Sequence, residues 1–210
     1  MMMAIVLIMS GVASYLLGGV NGAILASKLF HHEDIRQFGS KNPGFTNYKR
    51  VYGNGIVTWL VLVFDVAKTA LPVFLTAWVM EANFGLWQFG AQFSGLCAML
   101  GHCFPVWYKF KGGKGFLAGF ATIWFVDWRM ALVAVGVFFI VLFASKFMSL
   151  ASCSAALVCP IVLAFLHPQS IWVELLAIAA AALVILRHHE NFAKLMKGTE
   201  SKFSLSSKKN

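Results

Sequence analysis

The chain has 210 residues, of which 60% are hydrophobic and only 12% are charged. Soluble domains carry about twice that share of charged residues, ~25%, and a soluble domain of this size has too little interior to bury so much apolar surface. This composition excludes an ordinary soluble domain and predicts that lipid surrounds most of the chain. The net charge of +9 is typical of a protein that binds nucleic acid or contacts an anionic membrane surface. The distribution of the basic residues along the chain decides between the two.

Seven apolar runs alternate with short polar breaks along the chain. The runs cover residues 1–27, 56–80, 89–107, 116–126, 130–143, 150–166 and 171–186. A spanning helix needs about 20 residues, so the short fourth and fifth runs form either two short helices or a re-entrant pair. We expect an all-α integral membrane protein of about seven transmembrane helices, with residues 1–210 as a single polytopic domain. The first run has no basic segment before it and is longer than a signal-peptide core, so no cleavable signal peptide is predicted.

The basic residues indicate how the chain is oriented. If successive breaks alternate between the two sides, all but two of the 17 basic residues fall in the breaks of one side and in the C-terminal segment, where Lys208 and Lys209 are included. The exceptions are Lys68, inside the second run, and Arg129. Cytoplasmic loops carry the excess of Lys and Arg, so we predict the N-terminus outside and the C-terminus in the cytoplasm.

Two features of the apolar runs bear on helix packing. Gly18 and Gly22 form a pair of small residues, four apart, that lets another helix approach closely. Asp65 and Lys68 lie three residues apart inside the second run. Charges within a membrane are functional by default, but an internal ion pair that locks helices together explains these two equally well.

The first basic break, residues 38–50, is rich in glycines, hydroxyls and amides. Glycines allow backbone N–H groups to converge on an anion, and Arg50 can bind a phosphate through two hydrogen bonds. Neutral donors are available from Ser40, Asn42, Thr46 and Asn47. The alternative is a turn-rich loop that caps the next helix, and this segment alone does not decide between the two.

The second basic break ends in Gly112, Gly113, Lys114 and Gly115, directly before the fourth apolar run. Free N–H groups and the positive end of a helix dipole favour phosphate there. The segment is not a Walker A motif, because Tyr108 takes the place of its first glycine and Gly115 that of the magnesium-binding hydroxyl. A simple cluster of positive-inside charge is the less favoured alternative.

The last apolar run is followed by Arg187, two histidines and Asn191. His188 and Asn191 are three residues apart and share a helix face, whereas His189 points elsewhere. His188 can bind or deprotonate a hydroxyl, although a histidine at a membrane interface is more often structural. All three polar segments fall on the cytoplasmic side of the predicted topology. Together they predict a cationic pocket for anionic small molecules or lipid head groups, without the continuous basic surface that nucleic acid requires.

The segments 39–47, 101–106 with 110–115, and 187–191 with 198–200 resemble the three signature regions of the bacterial acyl-phosphate:glycerol-3-phosphate acyltransferases. Asp34 with Arg36, Asp65 with Lys68, and Ser149 with Ser152 also match the family. The resemblance spans nearly the whole chain, in the family's order. It departs at Lys41 and Thr69, where the family usually has glycine, and at Phe45, where it usually has alanine.

The resemblance implies a multi-pass protein of the bacterial cytoplasmic (inner) membrane with its active site facing the cytoplasm. Its activity would transfer a fatty acyl group from a long-chain acyl phosphate to the sn-1 hydroxyl of glycerol-3-phosphate. The products would be lysophosphatidic acid and phosphate, in the first committed step of phospholipid synthesis. The partners are these two substrates and membrane lipids, with no nucleic acid.

The resemblance also implies roles for individual residues. Catalysis would involve Ser40, His188 and Asn191, and glycerol-3-phosphate would be bound by Ser40, Arg50, Lys114, His188 and Asn191. Acyl phosphate would be bound by Asn42, Thr46, Asn47, Gly112, Gly113, Lys114, Gly115 and Ser149. An acyl phosphate is already activated, so no covalent acyl-enzyme is required. The proton acceptor is either His188 or the acyl phosphate itself, and the family favours the latter.

Three other classes of protein are less consistent with the sequence. Acyl-CoA-dependent acyltransferases typically carry His-x4-Asp, and none of the six histidines has Asp five residues later. CDP-alcohol phosphotransferases need a cluster of aspartates for a divalent metal, which this sequence lacks, so we expect no cofactor and no metal. A transporter of organic phosphates is disfavoured by the odd number of runs and the absence of a visible repeat.

Overall fold

The computed structural model describes residues 1–168 and 170–203, and every regular element among them is helical. The helices are α1 (Met2–Gly19), α2 (Gly22–His31), α3 (Phe45–Tyr52), α4 (Ile56–Phe84), α5 (Trp87–Cys103), α6 (Phe116–Val126), α7 (Trp128–Ser145), α8 (Met148–Leu166), α9 (Ile171–Arg187) and α10 (His189–Met196). Short 3-10 turns lie at Ile35–Gln37 and Val106–Tyr108. Lys208 and Lys209, which entered the charge argument, lie outside the described residues.

Each predicted apolar run contains a helix, which confirms an all-helical architecture for the described part of the chain. Four segments are long and apolar enough to cross a membrane: Met2–His31, Ile56–Phe84, Trp128–Ser145 and Met148–Leu166. Helices α9 and α10, bent by 49° at their junction, make a fifth if they are counted together. Helices α5 and α6 are shorter, with 17 and 11 residues.

The first apolar run is not one helix, because it breaks between α1 and α2. Asn21 caps α2: its Oδ1 accepts a hydrogen bond from the N–H of Ile24 at 2.9 Å. Its Nδ2 donates to the carbonyl of Pro43, also at 2.9 Å. An asparagine that caps a helix satisfies N–H groups that would otherwise lack a partner. The break therefore attaches the first span to the loop that precedes α3.

The ion pair of Asp65 and Lys68 stabilises this break. The two side chains meet at 2.8 Å and are almost fully buried. Lys68 also donates to the carbonyl of Val20 at 2.6 Å, and Asp65 Oδ1 accepts from the N–H of Gly22 at 3.2 Å. These are backbone groups that the break releases from helical hydrogen bonding. The pair thus locks the broken first span against α4.

Helix α1 packs closely against α5 through small residues on both helices. A side chain at Gly18 would overlap the carbonyl of Ala98, and one at Gly101 would overlap the carbonyl of Tyr15. The predicted close approach is therefore confirmed at Gly18. Gly22 lies beyond the break and faces α4 instead, at Phe64 and Asp65.

Helix α6 begins well inside the molecule. At 1.5 Å per residue its 11 residues rise about 17 Å, whereas the 18 residues of α7 rise about 27 Å. The two helices meet at Asp127. The N-terminus of α6 lies at the buried Gly115, directly after the glycine-rich loop.

Candidate active site

A single chamber of about 830 Å³ runs between α5, α6, α7, α8 and α9. One face of α9 lines it from His188 through Val184 and Ala181 to Ala177, which are 11 residues or about 16 Å apart along the helix. The matching face of α8 runs from Ser149 to Cys159. Polar residues gather at one end and apolar residues at the other. The volume lies in the range of small-molecule sites, ~300–1,000 Å³.

The polar end brings the three signature segments together. Ten of the twelve predicted site residues line the chamber: Ser40, Asn42, Thr46, Asn47, Arg50, Lys114, Gly115, Ser149, His188 and Asn191. Gly112 lines a smaller neighbouring cavity of about 450 Å³, which shares Ser40, Asn42 and Lys114 with the chamber. Gly113 is buried against His102, where a side chain would overlap the imidazole.

Asn47 holds the first loop in shape through its side-chain amide, and its role in binding acyl phosphate stays a prediction. Its Nδ2 donates to the carbonyl of Phe38 at 3.0 Å, and its Oδ1 accepts from the backbone N–H of Ser40 at 2.8 Å. The residue is 1% exposed. Gly39, at φ +56°, passes so close to Asn47 that any side chain would overlap the amide. The buried amide therefore fixes the position of Ser40.

The glycine-rich loop, which we predicted to bind a phosphate, uses two of its N–H groups within the protein. The N–H groups of Gly112 and Gly113 donate to the carbonyls of Cys103 and His102, at 3.2 and 3.0 Å. They pin the loop to the end of α5 and are not directed at a ligand. Lys114 and Gly115, the next two residues, are the part of the loop that lines the chamber.

Arg187 supports this loop from the other side. Its Nε donates to the carbonyl of Gly113 and its Nη2 to that of Gly112, both at 3.1 Å. The guanidinium also lies over the ring of Phe104, 5.1 Å from its centre. A planar guanidinium binds two neighbouring acceptors at once. The sequence motif contains Arg187, but only the fold reveals that it joins the third signature segment to the second.

Lys114, Asn191 and Glu200 form a chain across the chamber mouth. Lys114 donates to Asn191 Oδ1, and Asn191 Nδ2 donates to Glu200 Oε1 at 2.6 Å. Burial lowers the pKa of Lys114, and the carboxylate of Glu200 opposes that shift. Sequence reasoning noted Glu200 within a motif but gave it no role. Here it orients the amide of Asn191 and balances the buried ammonium.

His188 sits at the bend between α9 and α10 and is 5% exposed. Its Nδ1 lies 2.7 Å from the carbonyl of Val184. A carbonyl only accepts, so Nδ1 carries the proton and Nε2 presents a lone pair. Nearby, the hydroxyl of Ser149 is buried and has no partner among the described residues. These two groups give the polar end one acceptor and one unused hydroxyl.

The C-terminal segment closes one side of the chamber. Residues 200–203 line it, and the N–H of Phe203 donates to the carbonyl of Lys146 at 2.7 Å. The ammonium of Lys49 lies 5.9 Å from the centre of the Phe203 ring. Sequence reasoning gave no role to residues 201–203, because they have no periodicity and resemble an ordinary tail.

Arg36 connects the first two signature loops outside the chamber. Its guanidinium donates three hydrogen bonds to the carboxylate of Asp34, the shortest of 2.6 Å, and one to the carbonyl of Tyr108 at 3.3 Å. The hydrogen bonds from Arg36 lower the pKa of Asp34. The first loop and the loop after α5 therefore have a fixed relative position.

Charge at the polar end is mixed, with cations in excess near the mouth. The basic lining residues are Lys49, Arg50, Lys114, Lys194 and Lys202, and the acidic ones are Asp65, Glu190 and Glu200. Across residues 1–168 and 170–203, no group of three or more His, Cys, Asp and Glu side chains is arranged to hold a metal ion.

A helical membrane bundle with a cationic, amide-rich chamber mouth and an apolar interior defines a class of lipid-handling membrane protein. The family model of glycerol-3-phosphate acyltransferase matches residues 8–198. The glycerol-3-phosphate acyltransferase of Tolumonas auensis is 37% identical over 95% of this chain and 93% of its own length. That of Fusobacterium nucleatum is 34% identical over 91% and 95%.

Solved structures agree with the sequence matches. The crystal structure of PlsY (YgiH), an integral membrane glycerol 3-phosphate acyltransferase, in its glycerol 3-phosphate form has a TM-score of 0.84 and 31% identity. It matches 94% of this chain and 96% of its own. The lysophosphatidic acid form gives a TM-score of 0.81 at 30% identity, over 94% and 95%. This chain belongs to the glycerol-3-phosphate acyltransferase family of integral membrane enzymes.

Proposed function

We propose that this protein transfers a fatty acyl group from a long-chain acyl phosphate to the sn-1 hydroxyl of glycerol-3-phosphate. Lysophosphatidic acid and phosphate are the products, as in the first committed step of phospholipid synthesis. The observation that carries the proposal is the chamber itself, which follows α9 for about 16 Å from His188 and passes from a cationic polar end into an apolar interior. A molecule with an anionic head and a single alkyl chain has a polar part and an apolar part that match the two ends of the chamber. Relatives crystallised in glycerol 3-phosphate and lysophosphatidic acid forms support it.

Glycerol-3-phosphate binds at the mouth through its phosphate. Ser40, Arg50 and Lys114 line that region, and they supply a hydroxyl, a guanidinium and an ammonium. Hydrogen bonds from charged donors to phosphate are about twice as strong as neutral ones. His188 Nε2, which presents a lone pair, accepts from a glycerol hydroxyl, and Asn191 orients it.

The acyl phosphate head binds deeper, where Asn42, Thr46 and Ser149 line the chamber together with Gly115 at the N-terminus of α6. The positive end of a helix dipole favours a phosphate group. The unpartnered hydroxyl of Ser149 gains a hydrogen-bond partner when the head is bound. The alkyl chain then extends along α8 and α9.

The transfer is a direct displacement. The glycerol oxygen forms a bond to the acyl carbonyl carbon while the bond from that carbon to the phosphate oxygen breaks and leaves its electron pair on phosphate. The hydroxyl proton passes to the departing phosphate, so the reaction is substrate-assisted. The enzyme contributes alignment of the two substrates and donors for the charge that develops on the carbonyl oxygen.

The proposal is tested with purified protein in detergent without added divalent metal. Labelled glycerol-3-phosphate is supplied with either palmitoyl phosphate or palmitoyl-CoA, and lysophosphatidic acid is measured. We expect product from palmitoyl phosphate alone. Product from palmitoyl-CoA would overturn the donor assignment. No product from either donor, with folding verified by thermal unfolding, would overturn the enzymatic proposal and favour uptake of glycerol phosphate, measured in sealed proteoliposomes.

We further propose that the protein crosses the bacterial inner membrane seven times, with the chamber mouth toward the cytoplasm. The distribution of basic residues along the sequence supports this orientation. Cysteines introduced at exposed Asn83 and Lys111 serve as probes. A membrane-impermeant maleimide should label Asn83→Cys on intact spheroplasts and Lys111→Cys only in inverted vesicles, with the unsubstituted chain as control. The opposite pattern would overturn the orientation.

A further inference from the structure

His102, at the end of α5, belongs to a buried network that the proposed mechanism does not use. Lys68 Nζ lies 2.8 Å from Asp65 Oδ1, 2.6 Å from the carbonyl of Val20 and 3.2 Å from His102 Nδ1. An ammonium has three N–H donors and no acceptor. All three donors are therefore in use, and one of them is directed at the imidazole.

This arrangement fixes the protonation of His102. Because Lys68 only donates, His102 Nδ1 must accept, and a protonated Nδ1 would face another cation. The imidazole is therefore neutral, with its single proton on Nε2. Asp65 holds the ammonium in place, 2.8 Å from its Oδ1, so the ion pair fixes the tautomer of His102.

The Nε2 atom of His102 lies against the glycine-rich loop, at Gly113, on the edge of the chamber. His102 lines the chamber and is 4% exposed, and Nε2 has no protein partner among the described residues. The loop passes so close that a side chain at Gly113 would overlap Nε2. Lys114 is the next residue along this loop. An N–H donor that makes no hydrogen bond within the protein is available to a ligand or water that can accept from it.

The depth of His102 indicates which ligand atom is its partner. Met99, one helical turn further along α5, is an apolar lining residue, whereas Lys114 and Ser40 belong to the polar end. His102 thus lies where the polar wall meets the apolar wall. In an acyl phosphate, the group between the alkyl chain and the phosphate is the carbonyl.

We propose that His102 Nε2–H donates a hydrogen bond to the acyl carbonyl oxygen and stabilises the negative charge that forms there during transfer. This inference rests on the proposed function and adds a catalytic residue to it. Asp65 and Lys68 act through His102 as positioning residues. His102 and His188 then have complementary tautomers: His188 Nε2 accepts from the glycerol hydroxyl that does not attack, and His102 Nε2–H donates to the carbonyl being attacked.

A pair of amide substitutions separates this role from a structural one. His102→Asn keeps a polar atom near the Nδ1 position, beside Lys68, but removes the donor at Nε2. His102→Gln places an amide N–H near the Nε2 position. Removal of one donor from an oxyanion site lowers kcat about 10²–10³-fold. We expect such a loss for His102→Asn with palmitoyl phosphate, little change in KM for glycerol-3-phosphate, and partial recovery in His102→Gln.

The control is His32→Asn, an exposed histidine at φ +56°, a conformation that asparagine adopts readily. It should retain wild-type kinetics. A wild-type kcat in His102→Asn would overturn the inference. Equal losses of kcat in His102→Asn and His102→Gln, in proportion to a lower melting temperature, would also overturn it. If the wild-type enzyme itself makes no lysophosphatidic acid, the proposed function fails instead, so the two failures are distinguishable.

The position of the proton on the His102 imidazole can be measured separately, by NMR. In protein labelled with ¹⁵N-histidine, the spectrum of His102, assigned by comparison with His102→Asn, should show the proton on Nε2. Lys68→Met removes the donor to Nδ1 and should produce a mixture of tautomers together with a lower kcat. A wild-type spectrum with the proton on Nδ1 would contradict the proposal that Lys68 fixes the tautomer of His102.

Discussion

Lys114 is the residue at which the three signature segments converge. It belongs to the glycine-rich loop, donates to Asn191 after the last span and lines the chamber with Ser40 of the first loop. An ammonium buried this far is retained in its charged form by anionic neighbours, and Glu200 is the first of them. The binding of an anionic substrate strengthens the same effect.

The protonation of Lys114 should set the alkaline limit of activity. Burial lowers its pKa, so the ammonium loses its proton as the pH rises through that lowered value, and phosphate binding weakens. Lys114→Arg keeps its charge at any accessible pH. We expect kcat/KM for glycerol-3-phosphate to fall at high pH in the wild type, and this fall to be absent from the variant.

The matched control for this experiment is the exposed Lys109. Lys109→Arg should reproduce the wild-type pH profile. If Lys114→Arg retains the alkaline fall, another group is responsible and Lys114 does not bind the phosphate as a cation.

Arg187 acts on the same loop through the backbone. Its guanidinium binds the carbonyls of Gly112 and Gly113 simultaneously, a geometry that lysine cannot reproduce. A hydrogen bond from a charged donor contributes ~1.5–3 kcal/mol, so loss of one should loosen the loop that carries Lys114. We expect Arg187→Lys to lower kcat/KM about tenfold or more, since 1.4 kcal/mol corresponds to a factor of ten.

Arg129 provides the comparison for that substitution. It pairs with Asp127 at 2.7 Å, but its side chain is 49% exposed, and solvent screening leaves exposed ion pairs with little effect on stability. Arg129→Lys should leave steady-state kinetics unchanged. Equal kinetics for Arg187→Lys and Arg129→Lys would show that the loop does not depend on Arg187.

At the level of helices, the chamber is formed where helices end early or bend. Helix α1 ends at Gly19, α6 begins deep in the bundle, and α9 bends at His188. Each interruption leaves backbone N–H or C=O groups without helical partners. Side chains such as Asn21 and Lys68 satisfy those groups and at the same time fix the loops that line the chamber.

The cap at Asn21 links stability to substrate binding. Asn21→Ala removes the cap, at a cost of about 1 kcal/mol in the free energy of unfolding, and the hydrogen bond to the carbonyl of Pro43. Asn21→Ser restores an acceptor for the helix N-terminus but is too short to reach Pro43. We expect Asn21→Ser to recover most of the melting temperature, while KM for glycerol-3-phosphate stays raised in both variants. Full recovery of KM in Asn21→Ser would show that the contact with Pro43 is dispensable.

The sequence predicted the helices well, because long apolar runs leave few alternatives in lipid. It did not predict the break at Asn21, because the cap is a local polar residue inside a run whose hydropathy barely changes. Ten of the twelve residues that it put forward line one chamber, since the basic breaks share one side. It could not show that Asn47 and Gly112 form hydrogen bonds within the protein, because whether a loop amide binds a ligand or the backbone depends on the loop conformation.

For the whole molecule, the division of the chamber into a polar and an apolar end relates the fold to the length of the acyl chain. Ala177 lies about 16 Å along α9 from His188, and Ala181 about 10 Å; both line the chamber. On the opposite wall, α7 contributes bulky residues such as Phe138 and Phe139. Small residues on α9 therefore leave the space that an alkyl chain would fill.

A larger side chain half-way along this wall should shorten the acyl chain that the enzyme accepts. In Ala181→Leu the added carbons occupy the path of a long chain but not that of a short one. Overpacking costs ~1–3 kcal/mol, so kcat/KM for palmitoyl phosphate should fall about tenfold or more relative to octanoyl phosphate. The matched control is Ala182→Leu, because Ala182 is the next residue on α9 and is exposed on the outside of the bundle. It should retain the wild-type ratio of the two donors. If both variants keep that ratio, the alkyl chain follows another path, and α9 contributes only the polar residues at its end.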